Sequence, residues 1–190
     1  MPASSILRAA RASRGWSQRE LARRCGVAQP SLSDIESGDR DTTVAKLEQI
    51  LHATGHRLVS IPTTRATVAE WALALRDIAS QDPGALEKSF VQIADDLTAA
   101  DDSISVALAS EPPPSTGSST VDAVLAALVE HLFERRGLPV PAWTEDPRRV
   151  SAEPWDLVTV EGLRALARAE TPEPFRRRNV FVPSDLFESV

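Results

Sequence analysis

The sequence predicts a mainly α-helical protein with a basic first third and an acidic remainder. Apolar residues recur at three- and four-residue spacing in one segment after another, each bounded by a Ser or Thr cap, a glycine or a proline. Only one stretch, RLVSIP at 57–62, has a β-like composition. Residues 1–65 hold ten Lys/Arg against six Asp/Glu, a net of +4; residues 66–190 hold eleven against twenty-one, a net of −10. The overall charge of −6 hides that partition. An acidic body repels polyanions, so contact with phosphate is expected only in the first third.

A chain of 190 residues suits one or two small domains. It contains no run of about 18 apolar residues, the length needed to span a membrane as a helix. The opening MPASSILRAARASRG lacks the apolar core of a secretion leader. A single cysteine, Cys25, rules out an intrachain disulfide and fits a reducing compartment. The expected location is the cytoplasm, at the nucleoid.

The elements follow in order. Ile6, Leu7 and Ala10 set a first helix over 4–13. Ser17 offers a cap hydroxyl and Glu20 stands three residues on, the spacing of a capping box. That second helix runs to about Arg24 and buries Leu21 and Ala22. Gly26 supplies a tight turn at positive φ. A third helix begins near Ala28 with Pro30 in its first turn, buries Leu32 and Ile35, and stops at Gly38. Thr42 and Thr43 cap a fourth, which turns Val44, Leu47, Ile50 and Leu51 inward and ends at Gly55. The β-like 57–62 stretch is one short strand, and a lone strand needs a partner. The simplest partner is its own copy in a second subunit.

Beyond residue 66 the pattern gives a helical extension over 67–109, with helices at 67–81 and 84–100 separated by Asp82-Pro83-Gly84. SEPPPSTGSST, 110–120, has the composition of a linker. A helix over 121–136 carries Val124, Leu125, Leu128, Leu132 and Phe133 as its buried stripe and ends at Gly137. It opens a small α-rich C-terminal domain, 121–190, punctuated by prolines and tryptophans, with a further helix near 160–169.

The first 62 residues resemble the Xre/Cro-like helix-turn-helix family of phage repressors and antitoxins. The carrying pattern is Gln18, Leu21-Ala22, Gly26-Val27, Ser31-Leu32-Ser33 and Ile35-Glu36-Ser37-Gly38. The resemblance implies that the third helix enters the major groove of operator DNA and that the start of the second faces phosphate. Mapped onto this chain, Gln29, Pro30 and Asp34 meet base edges with Ser31 and Ser33 beside them, and Gln18 meets a phosphate. Gln29 suits adenine and Asp34 the cytosine amine. Pro30 and Asp34 depart from the commoner polar or basic residues of the family. Arg19, Arg23 and Arg40 are candidates for the DNA backbone, and Glu36 ties the third helix to its neighbours. Family antitoxins that dimerise through a strand at this place imply a homodimer on an inverted repeat.

Other chemistry is sparse. His52 and His56 stand four apart, but Gly55 breaks the helix between them, so helix-end hydrogen bonds are expected rather than a metal. Cys25 reads as a small buried filler and His131 as a solvated residue. Asp95-Asp96 and Asp101-Asp102 lack the other parts of a cation loop and read as an acidic helix face. There is no phosphate-cradling glycine loop and no nucleophile elbow. No cofactor, no metal and no catalysis are expected.

Trp143, Trp155, Phe175, Phe181 and Phe187 fall among prolines, where no long helix can bury them. Two readings stand: a satellite core against the 121–136 helix, or rigid aromatic anchors for another protein. RRRNVFV, 176–182, is open in the same way, as a second nucleic-acid patch or as arginines paired with acidic surface. The pattern from LPVPAW through EPW to TPEPFRRRNVFV is similar to the tails of Xre-type regulators encoded beside nucleotidyltransferase-like toxins. That resemblance implies a toxin-neutralising domain, with Trp143, Trp155, Phe175, Arg177, Arg178, Asn179 and Phe181 at the partner surface. The alternative is a stand-alone repressor whose C-terminal part binds an effector or oligomerises.

Overall fold

The computed structural model describes residues 3–79, 83–157 and 161–187. The chain divides into two compact units, Met1–Pro62 and Thr63–Val190, each with its own core.

The first unit is built of α1 (Ala3–Ala12), α2 (Gln18–Cys25), α3 (Gln29–Ser37) and α4 (Val44–Ala53). Their starts and stops follow from local chemistry. The Ser17 hydroxyl accepts the Glu20 N–H, and the Thr43 hydroxyl accepts that of Lys46. Only half of the expected capping box forms, because the Glu20 carboxylate turns to Arg23 and Arg24 instead. Gly26 at φ 69° ends α2 and returns its N–H to the Ala22 carbonyl. Leu7, Leu21, Leu32 and Ile50 are fully buried where the four helices meet, each worth about 1.5–3 kcal/mol of burial. Arg57–Pro62 carries no strand among the described residues. Val59 lies exposed on it.

The second unit comprises α5 (Val68–Ala79), α6 (Pro83–Thr98), α7 (Asp102–Ala109), α8 (Ser119–Arg135), a 3-10 turn (Ala142–Glu145), β1 (Trp155–Asp156), α9 (Glu161–Glu170), α10 (Glu173–Arg176) and β2 (Val180–Phe181). Residues 80–82, part of the expected helix at 67–81 and its stop, lie outside the described residues, as do 158–160, where the later helix was expected to begin. The strands pair in parallel with Trp155 opposite Val180.

At the centre stands α8. The sequence gives it one apolar stripe, yet every residue from Val121 to Glu130 is buried, as are Leu132 and Phe133. Elements from both sides enclose it: α5 and α6 precede it in the chain, while the 3-10 turn, α10 and β2 follow. Its two buried acids are satisfied by distant groups. Asp122 accepts from the Thr116 N–H at 2.8 Å and the Ser115 hydroxyl at 2.7 Å. Glu130 accepts from Arg177 and Arg178.

This helix joins what the sequence divides. The expected linker at 110–120 lies against the unit, with Pro113 and Thr116 buried. Arg149 donates to the Pro113 carbonyl and Arg76 to that of Ser115. One hydrophobic core runs from Val68 to Phe187, so extension, linker and C-terminal domain fold as one body.

Candidate nucleic-acid interface

The candidate surface is α3, and Glu36 determines how it is held. The Glu36 side chain is 3% exposed and lies where α1, α2 and α3 converge. Arg11 donates from Nε to Oε1 at 2.8 Å and from Nη2 to Oε2 at 2.9 Å. Gln18 adds its amide N–H at 2.9 Å, and Arg8 donates to the Glu36 carbonyl. Burial opposes ionisation of this carboxyl, but the hydrogen bonds from Arg11 and Gln18 and the nearby guanidinium charges outweigh it. Its pKa stays below the ordinary value. The third helix is tied to its neighbours, and the Gln18 amide that the sequence assigns to phosphate is already engaged in doing so.

Successive helix residues turn by about 100°. With Leu32, Ile35 and Glu36 directed inward, Pro30, Asp34 and Ser37 point outward. Gln29 and Ser33 lie on one flank and Ser31 on the other. Gln29, Pro30 and Asp34 are exposed; Ser31 and Ser33 are half-buried. The five residues expected at the bases thus lie on the outward side of α3 and its two flanks, with Pro30 and Asp34 at the middle. That face presents an amide, two hydroxyls and a carboxylate, which covers acceptor and donor partners in a major groove.

The cations around it divide into engaged and free. Arg23 and Arg24 both hold the Glu20 carboxylate, which their hydrogen bonds depress to about 2. Arg24 also lies over the Trp16 ring. Arg14 donates to the Thr54 carbonyl at 2.6 Å. Arg23, expected at the DNA backbone, is thus paired. Arg19 is exposed on the first turn of α2 and has no partner among the described residues. Arg40 is exposed just past α3 and makes one long contact, to Ser31.

Comparison with known proteins bears on this geometry. Residues 7–58 match the helix-turn-helix family HTH_3. The first unit is an Xre-type helix-turn-helix domain. Domains of this family are DNA-binding modules of transcription regulators, and the chain is a DNA-binding regulator at that level of description. No curated protein and no solved structure matches the chain. The match spans the helix-turn-helix domain and leaves the second unit to be read from its own residues.

Those residues correct the expected partner surface. Trp143 is buried, its indole N–H donating to the Ala109 carbonyl at 2.7 Å. Phe175 is fully buried and stacks on Phe187 at 5.5 Å. Arg178 is buried between the Thr144 and Pro174 carbonyls and Glu130. These three are core, because the prolines lead the aromatic segments back over α8. Trp155, Asn179 and Phe181 are partly exposed, and the Arg177 side chain is 45% exposed. The 176–182 arginines bind inward, Arg176 to the Ala169 and Thr171 carbonyls and the other two to Glu130.

The remaining groups are also placed. His131 is half-buried against the edge of Phe175, not solvated. Cys25 is buried with its thiol on the Leu21 carbonyl, and desolvation raises its pKa. His56 meets the Thr54 hydroxyl at 2.9 Å. The acidic pairs part company: Asp96 faces Gln92, while Asp102 pairs with Arg136 at 2.6 Å. No cluster suited to a metal occurs, and no helix is long and apolar enough to cross a membrane, among the described residues.

Proposed function

We propose that this regulator is a homodimeric, operator-binding repressor whose acidic second unit binds and neutralises a basic partner protein. It acts as the antitoxin of a toxin–antitoxin pair and represses its own operon. The supporting observation is that opposite charges fall on two separately cored units. The basic helix-turn-helix domain presents a polar reading face to DNA. The acidic unit suits a protein whose cleft otherwise holds RNA or nucleotide. The tail pattern from LPVPAW to RRRNVFV favours a nucleotidyltransferase-like toxin as that partner.

Dimerisation has its own support. Val44, which the spacing turns inward, is instead exposed at the start of α4, as are Leu58 and Val59 beyond that helix. The 57–62 backbone has no strand partner among the described residues, and a second copy supplies both apolar cover and hydrogen bonds. A single domain makes few phosphate contacts, so two half-sites about one helical turn apart are needed for useful affinity. Arg177, Trp155, Asn179 and Phe181, the tail residues that still reach the surface, are the points of partner contact.

Co-expression with the adjacent gene tests the reading. The neighbour's product is expected to co-purify with the full-length chain and to lose its toxicity. A repressing dimer indifferent to its neighbour overturns the antitoxin role and favours an effector-responsive repressor.

A further inference from the structure

The reading helix α3 contains no Lys or Arg, and its outward face carries a carboxylate, Asp34. The structure brings a cation to that face from the loop beyond it. Gly38, at φ 88°, reverses the chain after α3. The Arg40 N–H then donates to the Asp34 carbonyl at 3.0 Å, which fixes the Arg40 backbone beside the last turn of the helix. From there the side chain runs back along α3 until Nη1 lies 3.5 Å from the Ser31 hydroxyl. A contact of that length adds little stability. Its information is positional: the guanidinium lies near the first turn of α3, the part of a reading helix that meets base edges.

Its other donors are free. Arg40 forms no ion pair among the described residues, although three carboxylates are near it in sequence. Asp39 accepts the Ser37 hydroxyl at 2.6 Å, and Asp41 accepts the Thr42 N–H at 2.8 Å. Asp34 stands exposed on the same face. Most other arginines of the unit are committed to Glu36, Glu20 or the Thr54 carbonyl.

We propose that Arg40 reads a base rather than the DNA backbone, and that with Asp34 it recognises a G·C pair in each half-site. A guanidinium matches O6 and N7 of guanine, and a carboxylate accepts from N4 of the paired cytosine. The inference rests on the DNA-binding reading and adds a residue and a base to it.

The test selects binding sites from randomised duplexes with the full-length protein and with the Arg40→Ala, Arg40→Gln and Arg19→Ala variants. The wild-type half-site is expected to contain one G·C position at which Arg40→Ala loses roughly ten- to a hundredfold of discrimination. Other positions keep their preferences. Arg40→Gln moves that position toward adenine, the base a glutamine pairs with, and keeps the test readable should the alanine variant fold poorly. The proposal is overturned if Arg40→Ala weakens all duplexes alike and lowers the salt slope by about one, as expected of Arg19→Ala. A wild-type protein that selects no site at all removes the DNA-binding reading itself, a different and recognisable failure.

Discussion

Arg11 and Glu36 are joined by two parallel hydrogen bonds, at 2.8 and 2.9 Å, which fasten α1 to α3. Forked pairing of this kind fixes direction as well as distance. Glu36→Ala leaves Arg11 and Gln18 without their common acceptor, whereas Arg8 keeps the backbone carbonyl of residue 36. It is expected to destabilise the helix-turn-helix domain by about 3 kcal/mol, read as a shifted urea midpoint.

The same carboxylate gives a pH dependence. Its folded pKa lies below the ordinary 4.5. The stabilisation it contributes is therefore complete above that value and declines as pH falls through the folded pKa. Wild-type protein should lose domain stability below about pH 4.5 by more than Glu36→Gln does. Equal acid sensitivity in both proteins refutes the assignment.

Gln29 and Arg19 separate reading from attraction. Gln29→Ala should lower the affinity ratio of operator over random DNA while the salt slope stays nearly constant. Arg19→Ala should weaken both duplexes together and reduce the slope by about one. Binding titrations across a range of salt concentrations distinguish them.

In the second unit, Glu130 and Arg178 form a pair with 5% and 4% side-chain exposure, joined at 2.6 Å. Burial lowers the Arg178 pKa, and Glu130 opposes that. Glu130→Ala strands this cation, with only the Thr144 and Pro174 carbonyls left to it, and should cost about 3–5 kcal/mol. With two separate cores, calorimetry should show two transitions, of which only one moves.

Truncation probes the same unit from a different side. Removing 121–190 takes away α8, against which α5 and α6 bury their apolar faces. The remaining 63–120 should lose its protection from proteolysis, whereas a cut after residue 62 should leave a folded helix-turn-helix domain.

The first unit was legible because its determinants are local. Ser17, Gly26, Pro30, Gly38 and Thr43 act within a few residues of themselves, and the helices they bound lie where their spacing places them. The outward position of Pro30 and Asp34 on α3 was legible for the same reason. The hold of Glu36 on Gln18 was not, since it spans 18 residues and leaves no periodic trace. Composition misled at 110–120, where proline and serine read as a linker. The Asp122, Arg149 and Arg76 contacts that secure it come from up to 39 residues away. Polar residues also disguised α8. Asp122 and Glu130 gave it the look of a half-wet helix, yet remote partners let both lie inside. Aromatics among prolines could serve as anchor or core, and only the path of the returning chain selected core for Trp143 and Phe175.

The position of α8 in the chain also orders events on the ribosome. The DNA-reading lobe has emerged whole before any of α8 is translated. The helices from Val68 to Ala109 must wait with their greasy faces uncovered until α8 has been added, to Arg135. At ordinary translation rates that gap is roughly one to five seconds. During it a nascent molecule owns a finished helix-turn-helix domain and an unfinished second core.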